Sequence, residues 1–137
     1  MRHIDEVRRA LSRYTPLSEA LGLDNDGEIK VYNLIAKPNT TQPYLIVNFP
    51  PVNDFEGAYE EAIVMEAVGV QLTAWATEPG QSLIIASMAN NALLDSDFDV
   101  APYEVVSVRR IANPFPQFDP DANLHGLVMR YEMILAK

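Results

Sequence analysis

The chain has 137 residues, of which 48% are hydrophobic, and its formal net charge is −9. A chain of this length can bury a large core, so we expect one domain over residues 1–137 that folds without metal or disulfide. The absence of cysteine excludes disulfides, thiolate metal sites and cysteine nucleophiles. The acidic charge argues against tight binding to nucleic acids or to anionic membranes. We also expect neither a signal peptide nor a transmembrane segment, because the apolar runs are too short.

Secondary structure is predicted from apolar spacing and from the positions of proline and glycine. In chain order, the predicted elements are a helix over residues 3–14, a helical turn over Leu17–Leu21, strands over Ile29–Ile35 and Tyr44–Phe49, a hairpin loop over Val52–Glu61, a strand over Val64–Ala76, a helix over Glu78–Leu94, an acidic loop over Asp95–Pro102, a strand over Tyr103–Ile111, an irregular segment over Asn113–Gly126 and a strand over Leu127–Leu135. Strands do not alternate with helices in this order. We therefore predict an α+β fold with a mainly antiparallel sheet, covered by the N-terminal helix and the central helix.

The clearest strand is Val64–Ala76, because apolar and polar residues alternate along most of it. Its apolar face is predicted to hold Val64, Val68, Val70, Leu72, Ala74 and Ala76. The central helix is predicted to cover that face with Ile84, Ile85, Met88, Ala89 and Ala92. Leu83 and Leu94 fall on nearly the opposite side of the helix, where they either contact a partner or pack against loops at the helix ends.

One acidic run resembles a calcium loop but lacks its key residues. Asp95, Asp97 and Asp99 alternate, yet the positions that need glycine and a bidentate glutamate hold Val100 and Val106. An acidic, solvated turn is the better interpretation.

A second cluster, Asp119, Asp121 and His125, combines a histidine with two carboxylates. These side chains could hold a divalent ion or serve a small hydrolase or transferase, but their proline-containing segment predicts no fixed geometry. Motifs for phosphate binding or for a nucleophilic serine elbow are absent. We expect no enzyme activity, no cofactor and no metal, and a triad assembled in space stays open.

Aromatic residues in two long loops predict contact with other proteins. Phe55 and Tyr59 follow the Pro50-Pro51 turn, and Phe115 and Phe118 lie in the proline-rich segment. Such loops either fold back over the sheet or reach a partner. Partner contact is favoured because two aromatic loops supply more apolar side chains than one small core needs. The candidate interface residues are therefore Phe55, Tyr59, Phe115, Phe118, Leu83 and Leu94.

The whole chain resembles the tail-completion, or tail-terminator, proteins of long-tailed phages. The resemblance lies in the order of elements and covers nearly the full length. It is carried by the segments Leu17-Ser18-Glu19-Ala20-Leu21, Pro43-Tyr44-Leu45-Ile46-Val47, Val70-Gln71-Leu72-Thr73-Ala74-Trp75-Ala76, Ser82 to Leu94, and Met129-Arg130-Tyr131-Glu132-Met133.

The resemblance implies a homohexameric ring without a cofactor, located in the virion and assembled in the bacterial host cytoplasm. The expected partners are the chain itself, the tail tube protein and the head–tail connector proteins, while DNA passes through without specific binding. In such a conduit Asp95, Asp97 and Asp99 are candidates for an acidic lumen, because acidic walls do not trap phosphates. The alternative is a small oligomeric module that binds proteins or peptides without catalysis.

Overall fold

The computed structural model describes residues 3–51, 65–95 and 98–136. The elements are α1 (His3–Ser12), α2 (Thr15–Leu21), β1 (Val31–Asn33), β2 (Tyr44–Asn48), β3 (Met65–Ala76), α3 (Pro79–Leu94), β4 (Glu104–Arg110), β5 (Phe115–Asp119) and β6 (Leu124–Ala136). No helix in the described ranges is both long and apolar enough to cross a membrane. The predicted loop Val52–Glu61 falls outside the described residues.

The strands form one sheet in the order β1-β2-β3-β6-β4, with β5 also paired to β6. The pairings are antiparallel except for the parallel pair β1–β2. Strand β6 pairs with β3 along its length, and its other side pairs with β5 near Leu124–Val128 and with β4 near Tyr131–Ala136. The predicted α+β class with a mainly antiparallel sheet is therefore confirmed.

The core lies between one face of the sheet and the helices. Val70, Leu72 and Tyr131 are fully buried on this face, where α3 crosses β3 and β6, and α1 and α2 contribute Leu11 and Leu17. The predicted apolar face of β3 is buried at Val68, Val70, Leu72, Ala74 and Ala76, while Val64 lies outside the described residues. Three alanines on the buried side of α3 allow the helix backbone to lie close to the sheet.

The predicted covering face of α3 is partly wrong. Ile84 is 55% exposed, whereas the buried side of α3 consists of Ser82, Ile85, Ala86, Ala89, Ala92 and Leu93. Apolar residues occur all round this helix, so its sequence has no polar stripe that would fix the rotation about its axis. Packing against Tyr131, whose hydroxyl donates to Asn90 Oδ1 at 2.7 Å, selects the observed side.

The predicted irregular segment Asn113–Gly126 is also wrong. Residues 115–126 form a hairpin in which β5 pairs with the start of β6, and Asn123, at φ 54°, lies in the connecting turn. Three prolines obscured this strand in the sequence, but proline is tolerated on an edge strand such as β5. Strand β1 is shorter than predicted, since it ends at Asn33 and leaves Leu34 and Ile35 outside the sheet.

Candidate assembly surfaces

A mainly apolar concave surface lies between the start of α3 and the β5–β6 hairpin, and we call it the groove. Its volume is about 460 Å³, and its walls are Pro79, Ser82, Leu83, Pro116, Gln117, Phe118, His125, Gly126 and Leu127. Leu83 is 56% exposed and Phe118 is 49% exposed, so both present apolar area to the outside. Phe118 packs against the His125 ring, with centroids 4.9 Å apart. Two of the predicted interface residues therefore meet in one groove.

The second apolar surface is the dipeptide Leu34–Ile35, which directly follows β1 and which we call the knuckle. Leu34 is 70% exposed and Ile35 is 79% exposed, the highest values among the described large hydrophobic side chains. Leu34 has φ 68°, a conformation that a bulky residue seldom adopts. Its N–H donates to the Val47 carbonyl at 2.9 Å, and the Ile35 N–H donates to the Asn33 carbonyl at 2.7 Å. The backbone of the knuckle is thus held in place.

A cluster of charges fixes the loop that carries the knuckle. The Lys37 ammonium lies 3.2 Å from Asp24, 3.1 Å from Asp26 and 3.1 Å from Glu28. Hydrogen bonds to Glu28 and Asp26 raise the pKa of Lys37 above its usual range. The backbone N–H of Glu28 donates to Asp24 Oδ1 and is the main reason that the pKa of Asp24 falls to about 2. Both groups therefore stay charged at neutral pH, and the loop keeps its ion pairs.

The outer face of the sheet is a trough of about 590 Å³ that no described helix covers. Amides and aromatic rings line much of it, including Gln71, Trp75 and Gln117, and the knuckle forms part of one rim. The Trp75 ring lies over Gly126, where a Cβ atom would come within 2.9 Å of the ring. Phe115 also faces this side, with the Arg130 guanidinium 5.4 Å from its ring centroid.

The predicted interface residues thus separate into different surfaces. Phe118 and Leu83 lie in the groove, while Phe115 packs with Arg130 on the opposite face of the sheet. Leu94 is half exposed at the far end of α3. Phe55 and Tyr59 lie outside the described residues, so their predicted role stays a prediction.

Two of the three predicted lumen residues lie at the corner between α2 and the end of α3. Asp95 and Asp99 line a surface cavity of about 490 Å³ together with Arg13 and Phe98. The Arg13 side chain donates to the backbone carbonyl of Asp99 at 3.5 Å, so this corner contains a cation as well as acids. Asp97 lies outside the described residues.

The cluster Asp119, Asp121 and His125 is not arranged as a metal site. Asp119 Oδ1 accepts the backbone N–H groups of Asp121 and Ala122, which shapes the hairpin turn, and the His125 ring packs on Phe118. Among the described residues, no group of three or more acidic or histidine side chains could hold a metal ion.

Sequence reasoning missed the knuckle as a surface. Leu34 and Ile35 end an apolar run that is typical of a strand, so they were assigned to the sheet. A weak signal does exist: Asn33 precedes them and Lys37-Pro38-Asn39 follows, which together favour a turn. The charge cluster that fixes this turn joins residues 24 to 37, and neighbouring residues in the sequence do not reveal it.

The described residues form an α+β fold with several exposed apolar areas. Residues 5–136 match the family model described as tail completion protein gp17, so the chain belongs to that family. The protein is accordingly a structural component of a virion tail that associates with other particle proteins.

One similar solved structure is a chain from the "Virion of native gene transfer agent (GTA) particle". The match has a TM-score of 0.69 and 13% identity, and it covers 96% of this chain and 92% of that chain. At this identity the likeness shows a shared fold. No curated protein sequence matches the chain.

Proposed function

We propose that the protein closes the tail tube as a ring of six identical subunits and joins the tube to the head connector. The observation that carries this proposal is the family match over residues 5–136, which runs from the first turn of α1 to the end of β6. A protein in this position needs contacts to its own copies and to a ring on either side. The groove, the knuckle and Phe115 offer apolar contacts on separate parts of the surface.

The proposed role needs no catalysis and no cofactor, because joining two assemblies depends only on complementary surfaces. Interfaces of this kind gain most of their free energy from a few buried aromatic and aliphatic anchors. Phe118 and Leu83 are candidate anchors in the described part of the chain, and Phe115 and Leu94 are candidates for contacts to neighbouring rings. Phe55 and Tyr59 remain candidates from the sequence.

We further propose that acidic residues face the lumen through which DNA passes. The chain carries 19 acidic and 10 basic residues, and an acidic wall would let a duplex pass without trapping its phosphates. Asp95 and Asp99 lie on one corner of the fold, and Asp97 follows from the sequence pattern. A ring structure with a positively charged lumen would overturn this part of the proposal.

A small oligomeric module that binds peptides is the second candidate, and the groove favours it. The groove volume lies within the range of ligand pockets, roughly 300–1,000 Å³. Mass in solution separates the two candidates, since a tail-closing protein forms a high-order ring, whereas a peptide-binding module stays a monomer or dimer.

The test of the main proposal is loss of the protein during particle assembly. Without the protein, heads and tails should accumulate separately, and the tail tubes should vary in length. Adding purified wild-type protein should restore joining in electron micrographs. If heads and tails join normally in its absence, the proposal is wrong.

A further inference from the structure

We propose that the knuckle of one subunit inserts into the groove of the next subunit, and that this contact repeats around the ring. The inference rests on the proposed ring, and it names the two surfaces that build it. The occupant of the groove is therefore a second copy of this chain, represented by Leu34 and Ile35.

The positions of the two surfaces favour a head-to-tail contact. The knuckle follows β1, which is one edge of the sheet, and the groove contains β5, which lies at the other edge. The knuckle lies on the rim of the open face, while the groove lies on the face that α3 covers. Neighbouring subunits can thus overlap, with the knuckle at the rim of the open face of one subunit against the α3 side of the next. Contacts between two different patches close into rings when the rotation allows it.

The chemistry of the surfaces matches as well. The groove is walled mainly by proline, leucine and phenylalanine side chains, and it suits an aliphatic pair such as Leu34 and Ile35. Ion pairs to Lys37 and backbone hydrogen bonds hold the knuckle in its exposed position before any contact forms. A segment that is already ordered loses less conformational entropy on binding, which strengthens the contact.

Charged residues lie beside both surfaces. Around the knuckle, Asp24, Asp26 and Glu28 outnumber Lys37 and the buried Lys30 by three to two. Beside the groove, Glu78 precedes Pro79 and Asp119 follows Phe118, while the exposed Arg110 of β4 lies in register with Tyr131 on the same side of the sheet. Because acids lie near both surfaces, the contact depends on the burial of apolar area and not on attraction between charges.

The first test uses two aspartate variants, each with a matched control. Ile35→Asp removes the apolar knuckle, and Leu83→Asp places a charge in the groove; both residues are exposed, so the monomer should still fold. Each variant should weaken assembly at least about thirtyfold in mass photometry or ultracentrifugation. Val106→Asp and Ile84→Asp alter residues that are about half exposed and lie outside the two surfaces, and both variants should assemble like the wild type.

Mixing the two defective variants tests the direction of the contact. The Leu83→Asp subunit keeps a knuckle and the Ile35→Asp subunit keeps a groove, so one contact is restored. The mixture should form a one-to-one dimer and nothing larger. If the mixture stays monomeric, or if either variant alone forms the wild-type ring, the contact is wrong.

A disulfide provides a direct readout because the chain contains no cysteine. The double variant Ile35→Cys/Leu83→Cys should oxidise to a ladder of covalent multimers that ends at the ring size. The control Ile35→Cys/Ile84→Cys should give at least about tenfold less of the ladder, because Ile84 lies outside the groove. Equal cross-linking in both would refute the contact.

Failure of the contact and failure of the ring are distinguishable. If the wild type forms rings and Ile35→Asp also forms them, the knuckle contact is wrong and the proposed function stands. If the wild type forms no ring even with tail tubes present, both proposals are overturned. The wild-type protein could also fail to self-associate and still bind tail tubes through its groove. That result would overturn the knuckle contact and identify the tube protein as the occupant of the groove.

Discussion

The two faces of the sheet differ in what covers them and in what they do. Under α3, aliphatic side chains pack closely, and Leu72 and Tyr131 are fully buried. No described helix covers the other face, which is an open trough lined by groups such as Gln71, Trp75 and Gln117. Folding stability therefore depends mainly on one face, while the rims and edges around the other remain available for partners. Variants that change one face at a time test this division.

The largest effect is expected for a core truncation under α3. Leu72→Ala should lower the free energy of unfolding by about 2–5 kcal/mol, because it removes fully buried methyl groups and leaves a cavity. Gln71→Ala, the matched control on the open face, should cost about 1 kcal/mol or less, since it loses only the exposed hydrogen bond with Arg130. Urea unfolding of both variants at low protein concentration measures the difference. Equal losses would contradict the division between the faces.

On the open face, Gly126→Ala should disturb the trough without breaking the core. The new Cβ would lie 2.9 Å from the Trp75 ring, so the ring must move, at an expected cost of about 1–3 kcal/mol. Trp75 is the only tryptophan, and its emission should shift to longer wavelength as the ring enters solvent. Gly80→Ala, which meets no heavy atom within 4 Å, should leave the emission unchanged. An unshifted spectrum for Gly126→Ala would show that the ring lies elsewhere.

A polar contact within the covered face should have a smaller effect. Tyr131→Phe removes the 2.7 Å hydrogen bond to Asn90 and should cost about 1 kcal/mol. A double-mutant cycle with Asn90→Ala isolates this pair, because the second change should add little once the hydroxyl is absent. Strictly additive losses would mean that the two groups do not interact.

The Tyr131 hydroxyl should also make the stability of the protein depend on pH in the alkaline range. Burial raises the pKa of Tyr131 from 10.0 to about 12, so above pH 10 the unfolded chain releases this proton first. The contribution of Tyr131 is complete below pH 10 and is lost as the pH rises through about 12. The stability difference between the wild type and Tyr131→Phe should therefore shrink over that range. A difference that stays constant would indicate an exposed hydroxyl.

The smallest effect concerns the charged corner beside the knuckle. The pKa of Asp24 falls from 3.8 to about 2, mainly through the backbone N–H of Glu28, so its stabilisation is complete above pH 4 and is lost as the pH falls through 2. The wild type should have a higher melting temperature than Asp24→Asn above pH 4, and this difference should shrink as the pH falls through 2. Asp26→Asn controls for the loss of one charge nearby. An unchanged advantage at pH 2 would contradict the assigned hydrogen bonds.

The sequence predicts well those parts of the fold that follow from local periodicity. Strand β3 is recognisable because apolar residues alternate along most of it, and the start of α3 is recognisable because Pro79 begins it. The family resemblance, which rests on the order of elements, is confirmed. Local patterns also place Phe118 and Leu83 correctly among exposed apolar residues, although their predicted interface role remains untested.

What the sequence could not predict depends on contacts between distant residues. The rotation of α3, which leaves Ile84 exposed, is selected by packing on β6 and not by its own apolar pattern. The β5–β6 hairpin is hidden by prolines, and only the pairing with β6 shows that β5 is an edge strand. The knuckle needs the positive φ of Leu34 and the ion pairs of Lys37, and both arise from the folded chain.

We propose that this virion-tail protein works as a closed ring on the tail tube. Native mass spectrometry of the wild-type protein at high concentration, combined with electron microscopy of purified tail tubes, tests it most directly. We expect a closed ring of six subunits that caps one end of each tube. A protein that stays monomeric and unbound to the tubes would contradict it.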